Sequence, residues 1–399
     1  MMVNSTLFVN GFTAFIDPMV AAFGWSVAQI SLAAGMRTVE SGLFNPLWGR
    51  AVDKYRVRWL ALIGLFTMCL GIFLLGLANS LFLLFASYII IGLGSSLVSS
   101  QIVNTLVARW FRQNLGKATG LLTAGMGVAG LFVPLLVKMI DTYSYQRVLF
   151  FVAIGVFIIG VPLSLVFRDR PEDYGLLPDG KPRVGSTPLR RSSDVGMTVK
   201  ETIKTPAFWL VNASGFLYMG AAHSVVLYIM PYLTGVGMTR STASLIATAG
   251  WVLTAAGRPL FGWLSDTIGV RYATAIGLVG NSLAVLLLWF INDAAAPLWL
   301  IALFVFLFSL GLSGVTPLRV PFTAEYFGTK HFGTIFGLTS VFMMLAQLVV
   351  TPAVGWFYDV TGDYRPAWLL LGSTAMIGTV LMLVISKHPP YGRNKAANS

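Results

Sequence analysis

Charge is what this chain has least of. Of its 399 residues, 11% are Asp, Glu, Lys or Arg and 56% are hydrophobic; a soluble domain carries roughly 25% charged residues. A soluble fold of this length cannot hide so much apolar side chain, so the solvent for most of the chain is lipid. Cysteine is nearly absent: Cys69 stands alone, which excludes an intrachain disulfide. With three widely separated histidines, it forms no metal-ligand spacing, and no metal or other cofactor is expected. Phosphate-loop and dinucleotide fingerprints are missing, so nothing points to a nucleotide-driven pump. A nucleophile–base constellation is missing too, and the chain is not read as an enzyme.

What the chain does have is apolar runs, near 5–23, 27–49, 59–78, 80–108, 116–138, 148–167, 207–233, 242–264, 272–291, 297–322, 332–357 and 367–386. About 20 residues is the length of a membrane-spanning helix, whereas barrel strands take about 10 and alternate. Open strands and loops facing lipid would leave backbone groups unsatisfied. The expected fold class is therefore an all-α membrane protein of about twelve spans. The first run has no basic region before it and is broken by Asp17-Pro18, so it reads as a span and not a cleaved signal. It starts almost at Met1, and a few residues upstream of it are expected.

The net charge of +12 at first suggests nucleic acid, but its distribution gives a simpler reading. Twenty of the 27 Lys and Arg residues fall on one side of the spans. Four (Lys138, Arg147, Arg240 and Arg365) fall on the other, and Arg37, Arg258 and Arg319 lie inside helices. The positive-inside rule places both termini and the central loop in the cytoplasm. The expected surroundings are a lipid bilayer, the inner membrane of a bacterium, with no nucleic-acid partner. Six runs precede the polar stretch and six follow it. The expected domains are a six-helix bundle over 1–167, a cytoplasmic linker over 168–205, and a second bundle over 206–399. Within the linker, Thr198 and Glu201 have capping-box spacing, which predicts a short helix ending before Pro206.

The two bundles are related in sequence. Residues 45–58, NPLWGRAVDKYRVR, match residues 258–271, RPLFGWLSDTIGVR, at Pro, Leu, Gly, Asp, Val and Arg. Gly24-Trp25-Ser26 matches Gly237-Met238-Thr239 at the same offset. More weakly, Phe111, Gly116 and Gly120 match Phe327, Gly333 and Gly337. Hydrophobicity alone does not put Gly, Asp and Arg in register at the same loop of each half. Parallel repeats of six spans mark one class of secondary transporter.

The loop Gly49-x-x-x-Asp53-x-x-x-x-Arg58 and its echo Gly262-x-x-x-Asp266-x-x-x-x-Arg271 resemble the signature loop of the major facilitator superfamily. Asp53 and Asp266 end helices at the negative pole of the macrodipole, where a carboxylate needs a partner. Nearby arginines or the N-terminus of a helix from the other bundle can supply it. A contact present in one conformation only would act as a cytoplasmic latch. Within the superfamily the chain is most similar to monocarboxylate transporters and their bacterial relatives, including oxalate–formate exchangers. The residues that carry this likeness are Phe23-Gly24-Trp25-Ser26, Arg109-Trp110-Phe111, Arg170-Pro171-Glu172 with Gly175 and Pro178-Asp179-Gly180, Pro206-Ala207-Phe208-Trp209 and Gly257-Arg258-Pro259.

The resemblance implies that an arginine at Arg258 binds the carboxylate of a small anion. The physics agrees: a charge in a membrane helix costs roughly 2.5–3.5 kcal/mol on insertion scales, and a guanidinium matches a carboxylate in bidentate geometry. The plainer alternative is an arginine snorkelling to the interface. It also implies that spans 1, 4, 7 and 10 line the cavity. Asp17, in the first span, would then be a proton carrier; otherwise it caps a new helical segment started by Pro18. His223, in the seventh, offers substrate contact or proton relay, or is a satisfied core histidine. Tyr88, Asn104, Tyr218 and Tyr228 offer hydroxyl or amide contacts, although most such residues are packing groups. Arg37 and Glu40 read as a neutralised pair, and Arg319 as a snorkelling cation more than a second cationic site.

This chain departs from its likenesses in two places. Animal monocarboxylate transporters carry an aspartate four residues before the eighth-span arginine, where this chain has Thr254. The oxalate–formate exchanger has a second cation in span 11, and residues 332–357 have none. The expected function is secondary transport of a small organic anion, a monocarboxylate before a dicarboxylate, by alternating access, with protons as a possible second partner and the chain as a monomer. The alternative is a proton-antiporting exporter of drugs or metabolites. Such exporters carry a Gly-Pro pair in span 5, where this chain reads Gly125-Met126-Gly127-Val128-Ala129-Gly130.

Overall fold

The computed structural model of the chain describes residues 6, 13–128, 132–180, 196–293 and 295–385. Among them the regular structure is helical, apart from isolated bridge positions at Leu176 and between Gly196 and Gly328. The helices are α1 (Thr13–Phe23), α2 (Val27–Lys54), α3 (Val57–Gly76), α4 (Leu81–Trp110), α5 (Leu115–Val128), α6 (Val133–Tyr143), α7 (Tyr145–Val166), α8 (Val199–Ile203) and α9 (Pro206–Gly235). They continue as α10 (Arg240–Ile268), α11 (Val270–Leu287), α12 (Leu298–Phe327), α13 (Phe332–Thr361) and α14 (Arg365–Val384). Each predicted apolar run is represented, the fifth by α5 and α6.

Eight of these helices are long and apolar enough to cross a membrane among the described residues: α3, α4, α7, α9, α11, α12, α13 and α14. The others fall short for visible reasons. α1 is described from Thr13 onward, and α5 and α6 are separated by residues 129–131, outside the described set. α2 and α10, which carry the repeated Gly and Asp, are long but more polar. The apolar surface faces outward, as lipid demands. α7 is the most apolar and least buried of the eight, and Ile158, Ile159 and Val166 on it are 64%, 65% and 70% exposed.

Local sequence explains where the helices start. The matched triplets of the repeat are helix punctuation. Gly24 and Gly237 take left-handed backbone at φ 68° and 95°, which glycine adopts without strain. Two residues later Ser26 and Thr239 cap α2 and α10, Ser26 through a complete capping box with Gln29. In the linker Thr198 and Glu201 form the same box over α8, and Thr205 caps α9 with Pro206 in its first turn.

Arg56, at the start of α3, gives no side-chain cap. Asp169, distant in sequence, supplies one: its Oδ1 accepts the Val57 N–H at 2.6 Å. Asp169→Ala should therefore cost about 1 kcal/mol, the usual value of an N-cap, read as a lower melting temperature of the purified protein in detergent. An unchanged melting temperature would remove the cap from the account.

The chain divides into two compact units. The first comprises residues 1–112, 125–194 and 330–340; the second comprises 113–124, 195–329 and 341–399. The first packs Phe15, Met19, Ile30, Leu65, Met68, Ile72, Tyr88 and Leu149 into its core. The linker residues described in that unit are tied down: the Trp110 indole donates to the Arg168 carbonyl at 3.0 Å, and Arg168 lies 4.0 Å over the Tyr174 ring. The second unit is centred on Ala221, Val225, Val285, Phe304 and an aromatic group in which Tyr232 packs edge-on to Tyr364 and Trp368. The Tyr232 hydroxyl lies within hydrogen-bond distance of the Leu288 and Ile291 carbonyls, at 2.5 and 2.7 Å.

Two long helices are broken. α4 takes a π-helical turn over Ser96–Ile102, and α12 has a turn over 316–318 between Val315 and Arg319. Both breaks end the same number of residues before the repeat partners Phe111 and Phe327. Breaks of this kind recur at functional sites and in the helices that hold transported substrates.

Candidate functional site: two carboxylate-capped helix starts and a buried arginine

In the first unit the end of α2 meets the start of α13. One oxygen of Asp53 accepts the Gly333 N–H at 3.0 Å, and the other accepts the Thr334 N–H at 2.9 Å and its hydroxyl at 2.8 Å. These are orphan donors of a helix N-terminus, and they carry its positive pole. Arg109 adds an ion pair at 3.7 Å, with both side chains 7% exposed, and donates to the Val52 carbonyl at 3.1 Å.

The second unit repeats the arrangement between α10 and α5. Asp266 accepts the Gly116 N–H at 2.8 Å and the Lys117 N–H at 2.9 Å. The two carboxylates, disfavoured at the ends of their own helices, are each held by the start of another.

The glycines make these contacts possible. A Cβ on Gly49 would overlap the Gly333 carbonyl, and one on Gly262 would overlap the Gly116 carbonyl. One turn further, Gly337 leaves no such room beside Asn45 and Pro46, nor Gly120 beside Arg258 and Pro259. The weaker sequence match of 116 and 120 with 333 and 337 is thus the other side of the same two contacts. Gly49→Ala should cost about 1–3 kcal/mol, the range for overpacking, measured as a fall in thermal stability. A variant as stable as wild type would show that the backbones need not touch.

The motif arginines stand apart from these carboxylates. Arg58 is exposed and in no ion pair among the described residues. Arg271 donates to the Leu383 carbonyl and lies 5.4 Å from the Tyr272 ring centroid. The cation on Asp53 is Arg109, which the sequence offered only as part of Arg109-Trp110-Phe111.

Arg258 sits inside α10, before Pro259, and is 7% exposed. Burial on that scale rules out snorkelling to open water. One guanidinium nitrogen donates to the Thr123 carbonyl, while Nε has no partner among the described residues. Its neighbourhood is made by close packing of α10 on α12: Gly257 leaves space that Ser313 fills, and the Ser313 hydroxyl donates to the Thr254 carbonyl at 2.9 Å. Thr254 donates to the Gly250 carbonyl of its own helix at 2.8 Å. Among the described residues no carboxylate forms an ion pair with Arg258.

Tyr218 of α9 is 1% exposed, and its hydroxyl lies 3.5 Å from the Gly311 carbonyl. The same hydroxyl is hydrogen-bonded to the Thr316 side chain and lies within electrostatic reach of both Arg258 and Arg319. Thr316, which the sequence alone did not single out, lies in the break of α12; the Thr316-Pro317 pair was the signal that the helix breaks there.

His223 lies five residues along α9 from Tyr218, about 7 Å of helical rise, and is half-buried against α13. Its Nδ1 is 3.2 Å from the Thr351 hydroxyl, and Tyr228 donates to the Thr351 carbonyl at 3.2 Å. Tyr88 is a buried core residue of α4, 1% exposed, and Asn104 is 8% exposed on the same helix. The backbone of α1 runs through Asp17 with Pro18 inside it, so Asp17 does not cap a new segment; its side chain lies outside the described residues. The Arg37 side chain also lies outside them, and Glu40 is buried at 6% exposure.

The sequence model of the Major Facilitator Superfamily matches residues 1–239 and again 213–399, the whole chain in two overlapping passes. The chain belongs to the major facilitator superfamily. It is a multi-pass membrane transporter and not an enzyme, and the helices described above fit the twelve-helix fold of two six-helix repeats.

Among curated relatives, monocarboxylate transporter 12-B of Danio rerio is 24% identical over 90% of this chain and 79% of its own length. The oxalate:formate antiporter of Oxalobacter formigenes is 25% identical over 69% of this chain and 63% of its own. Among solved structures the fucose:proton symporter of Escherichia coli superposes with a TM-score of 0.68 at 16% identity, over 96% of this chain and 98% of that one. The last comparison bears on the fold alone.

Proposed function

We propose that this transporter carries small organic anions, monocarboxylates foremost, by alternating access, and that a proton travels with the anion. The observation that carries the reading is Arg258: a buried guanidinium in an apolar helix, with an unpartnered Nε and no ion pair among the described residues. Burying such a charge is costly unless something binds it. A carboxylate meets the need with two parallel hydrogen bonds. The names of the relatives, a monocarboxylate transporter and an oxalate:formate antiporter, support the same class of cargo.

In this reading Arg258 receives the carboxylate and Tyr218 orients it. His223 and Asp17 are the candidate proton carriers, and Tyr88 and Asn104 are secondary contacts. Gly49, Asp53, Gly262 and Asp266 form the latch, with Arg109 in the part first given to Arg58, and Arg271 bracing the end of α14. The domains are the bundles 1–167 and 206–399, joined by the linker 168–205. The excess of Lys and Arg on one side supports cytoplasmic termini in a bacterial inner membrane.

The test is uptake into proteoliposomes under an imposed inward proton gradient, with labelled lactate, pyruvate, acetate and formate and with neutral and cationic controls. Gradient-stimulated uptake of at least one acid and neither control is the expected result. Extrusion of the cationic control with no movement of acids would replace this reading by the proton-antiporting exporter.

A further inference from the structure

A seam of side chains joins α9 to α13 in the second unit. Val350 packs against Gly220, and the Tyr228 hydroxyl against Gly355, each in the space a Cβ would fill. The two helices therefore approach closely on either side of His223 and Thr351. Thr351 is 4% exposed and Ser224 is fully buried. Hydroxyls in these spans commonly donate to the carbonyl one turn back, as Thr254 does to Gly250 and Ser282 to Leu278. The Thr351 hydroxyl makes no such bond among the described residues. It meets His223 Nδ1 at 3.2 Å and the Ser224 hydroxyl at 3.5 Å.

Counting hydrogens orders these contacts. A hydroxyl has one hydrogen to give. Ser224 gives its own to the Gly220 carbonyl at 2.7 Å, so between the two hydroxyls the donor is Thr351. With that hydrogen committed, Thr351 meets the ring as an acceptor, and Nδ1 carries a hydrogen. The chain then runs one way, from the imidazole through Thr351 and Ser224 to the Gly220 carbonyl, and bonds aligned in one sense strengthen one another. The reverse order would leave two hydroxyl oxygens facing each other with no hydrogen between them. Nε2 makes no hydrogen bond among the described residues and is not sealed in the packing.

We infer that Thr351 is a positioning residue that holds the hydrogen of neutral His223 on Nδ1, so that Nε2 is the atom that takes up and releases the transported proton. The inference rests on the proton-coupled reading above and adds to it the atom and its partner. The hydrogen bond made by one ring nitrogen sets the state of the other. The Nε2 lone pair accepts a proton to give imidazolium and returns it to give the neutral ring. Both ring nitrogens are donors in imidazolium, so Nδ1–H and the hydroxyl chain stay as they are throughout. The opposite tautomer would turn the free lone pair towards Thr351, and each uptake would require the hydroxyl to rotate. No carboxylate or cation among the described residues is bonded to the ring. The titratable neighbours on α9 are Tyr218 and Tyr228, five residues away on either side. Asp359 of α13 lies eight residues beyond Thr351, α10 brings Arg258, α11 carries Arg271 and Tyr272 in its first turn, and α14 has none between Arg365 and Val384.

The first readout is solid-state NMR of protein labelled with 15N-histidine, in lipid, at a pH where the ring is neutral. The chain has three histidines, and the signals lost in His223→Gln assign this one. The expected spectrum has Nδ1 protonated and Nε2 bare in wild type and in Thr351→Ser, and a proton on Nε2 in Thr351→Val. The second readout is the ratio of gradient-driven lactate uptake to lactate counterflow in proteoliposomes. Thr351→Val should lower it about tenfold, the effect of one hydrogen bond, and Thr351→Ser should restore it to within about twofold.

A wild-type ring protonated on Nε2 overturns the inference, and that spectrum decides the matter even where Thr351→Val does not fold. So does a Thr351→Val protein with the wild-type tautomer and ratio, or one that loses driven uptake and counterflow alike. Gradient-driven uptake that survives in His223→Gln sinks the proton-carrier reading of His223 itself. Its loss there, beside a wild-type ring protonated on Nε2, sinks the role of Thr351 alone.

Discussion

Arg258→Gln is expected to lower carboxylate uptake roughly hundredfold, with the protein still folded. Truncating one partner of a buried, hydrogen-bonded charge pair costs about 3 kcal/mol, and each 1.4 kcal/mol is tenfold. Glutamine keeps a donor to the Thr123 carbonyl within reach and removes the charge, so the loss should fall on anion binding and not on packing. Arg258→Lys separates charge from shape. Lysine restores the positive charge as a point but not the planar fork, and intermediate activity with a raised KM is expected. If Arg258→Gln transports as well as wild type, the buried guanidinium serves the fold, and the assignment of the site to α10 is wrong.

The second large effect concerns the capped helix starts. In wild type the Gly333 and Thr334 amides are bonded to Asp53 and should exchange slowly with solvent deuterium. Asp53→Ala removes both acceptors and the partner of Arg109. Hydrogen bonds to charged groups contribute about 1.5–3 kcal/mol each, so losing two should speed exchange in the peptide spanning 330–340 by roughly hundredfold. Asp266→Ala should act in the same direction on the peptide containing Gly116 and Lys117, and less strongly. Asp266 accepts two bonds where Asp53 accepts three from α13, and the one acid–base pair with Arg109 belongs to Asp53. Unchanged exchange at 330–340 would show that backbone packing, and not the carboxylate, holds the start of α13. The latch would then lose its electrostatic part.

Much of the fold was open to reading because the bilayer imposes a length and a composition, and the apolar runs state both. Helix starts were legible where a side chain caps locally, as at Thr198 and Glu201. Some helices run past their apolar stretch. α2 reaches Lys54 and α13 reaches Thr361, because a helix continues into polar turns beyond the hydrocarbon and hydropathy marks only the part in lipid.

The repeat was legible for a stricter reason. Two equivalent contacts each need a glycine for close approach and a carboxylate for the facing helix, so the same letters return in the same register. What stayed hidden was pairing between distant segments. Nothing local to Asp53 says that Arg109 and not Arg58 is its cation, and nothing local to Val57 says that Asp169 caps it. The hydrogen bond between Tyr218 and Thr316 depends on how α9 and the break in α12 pack. The register of the repeat contains a further contrast: Asn45 stands where the other half has Arg258, and the same close approach of a glycine, Gly337 or Gly120, abuts each backbone. The fold is repeated there, and the cation is not.

The central claim is that this transporter moves a carboxylate, and counterflow tests it without assuming how transport is driven. Wild-type proteoliposomes are loaded with a high concentration of unlabelled lactate or pyruvate and diluted into a trace of the labelled acid, with no proton or voltage gradient. A transient accumulation of label above equilibrium is expected for at least one acid, abolished in Arg258→Gln. Simple equilibration at the rate of protein-free liposomes, for every acid tested, would contradict it.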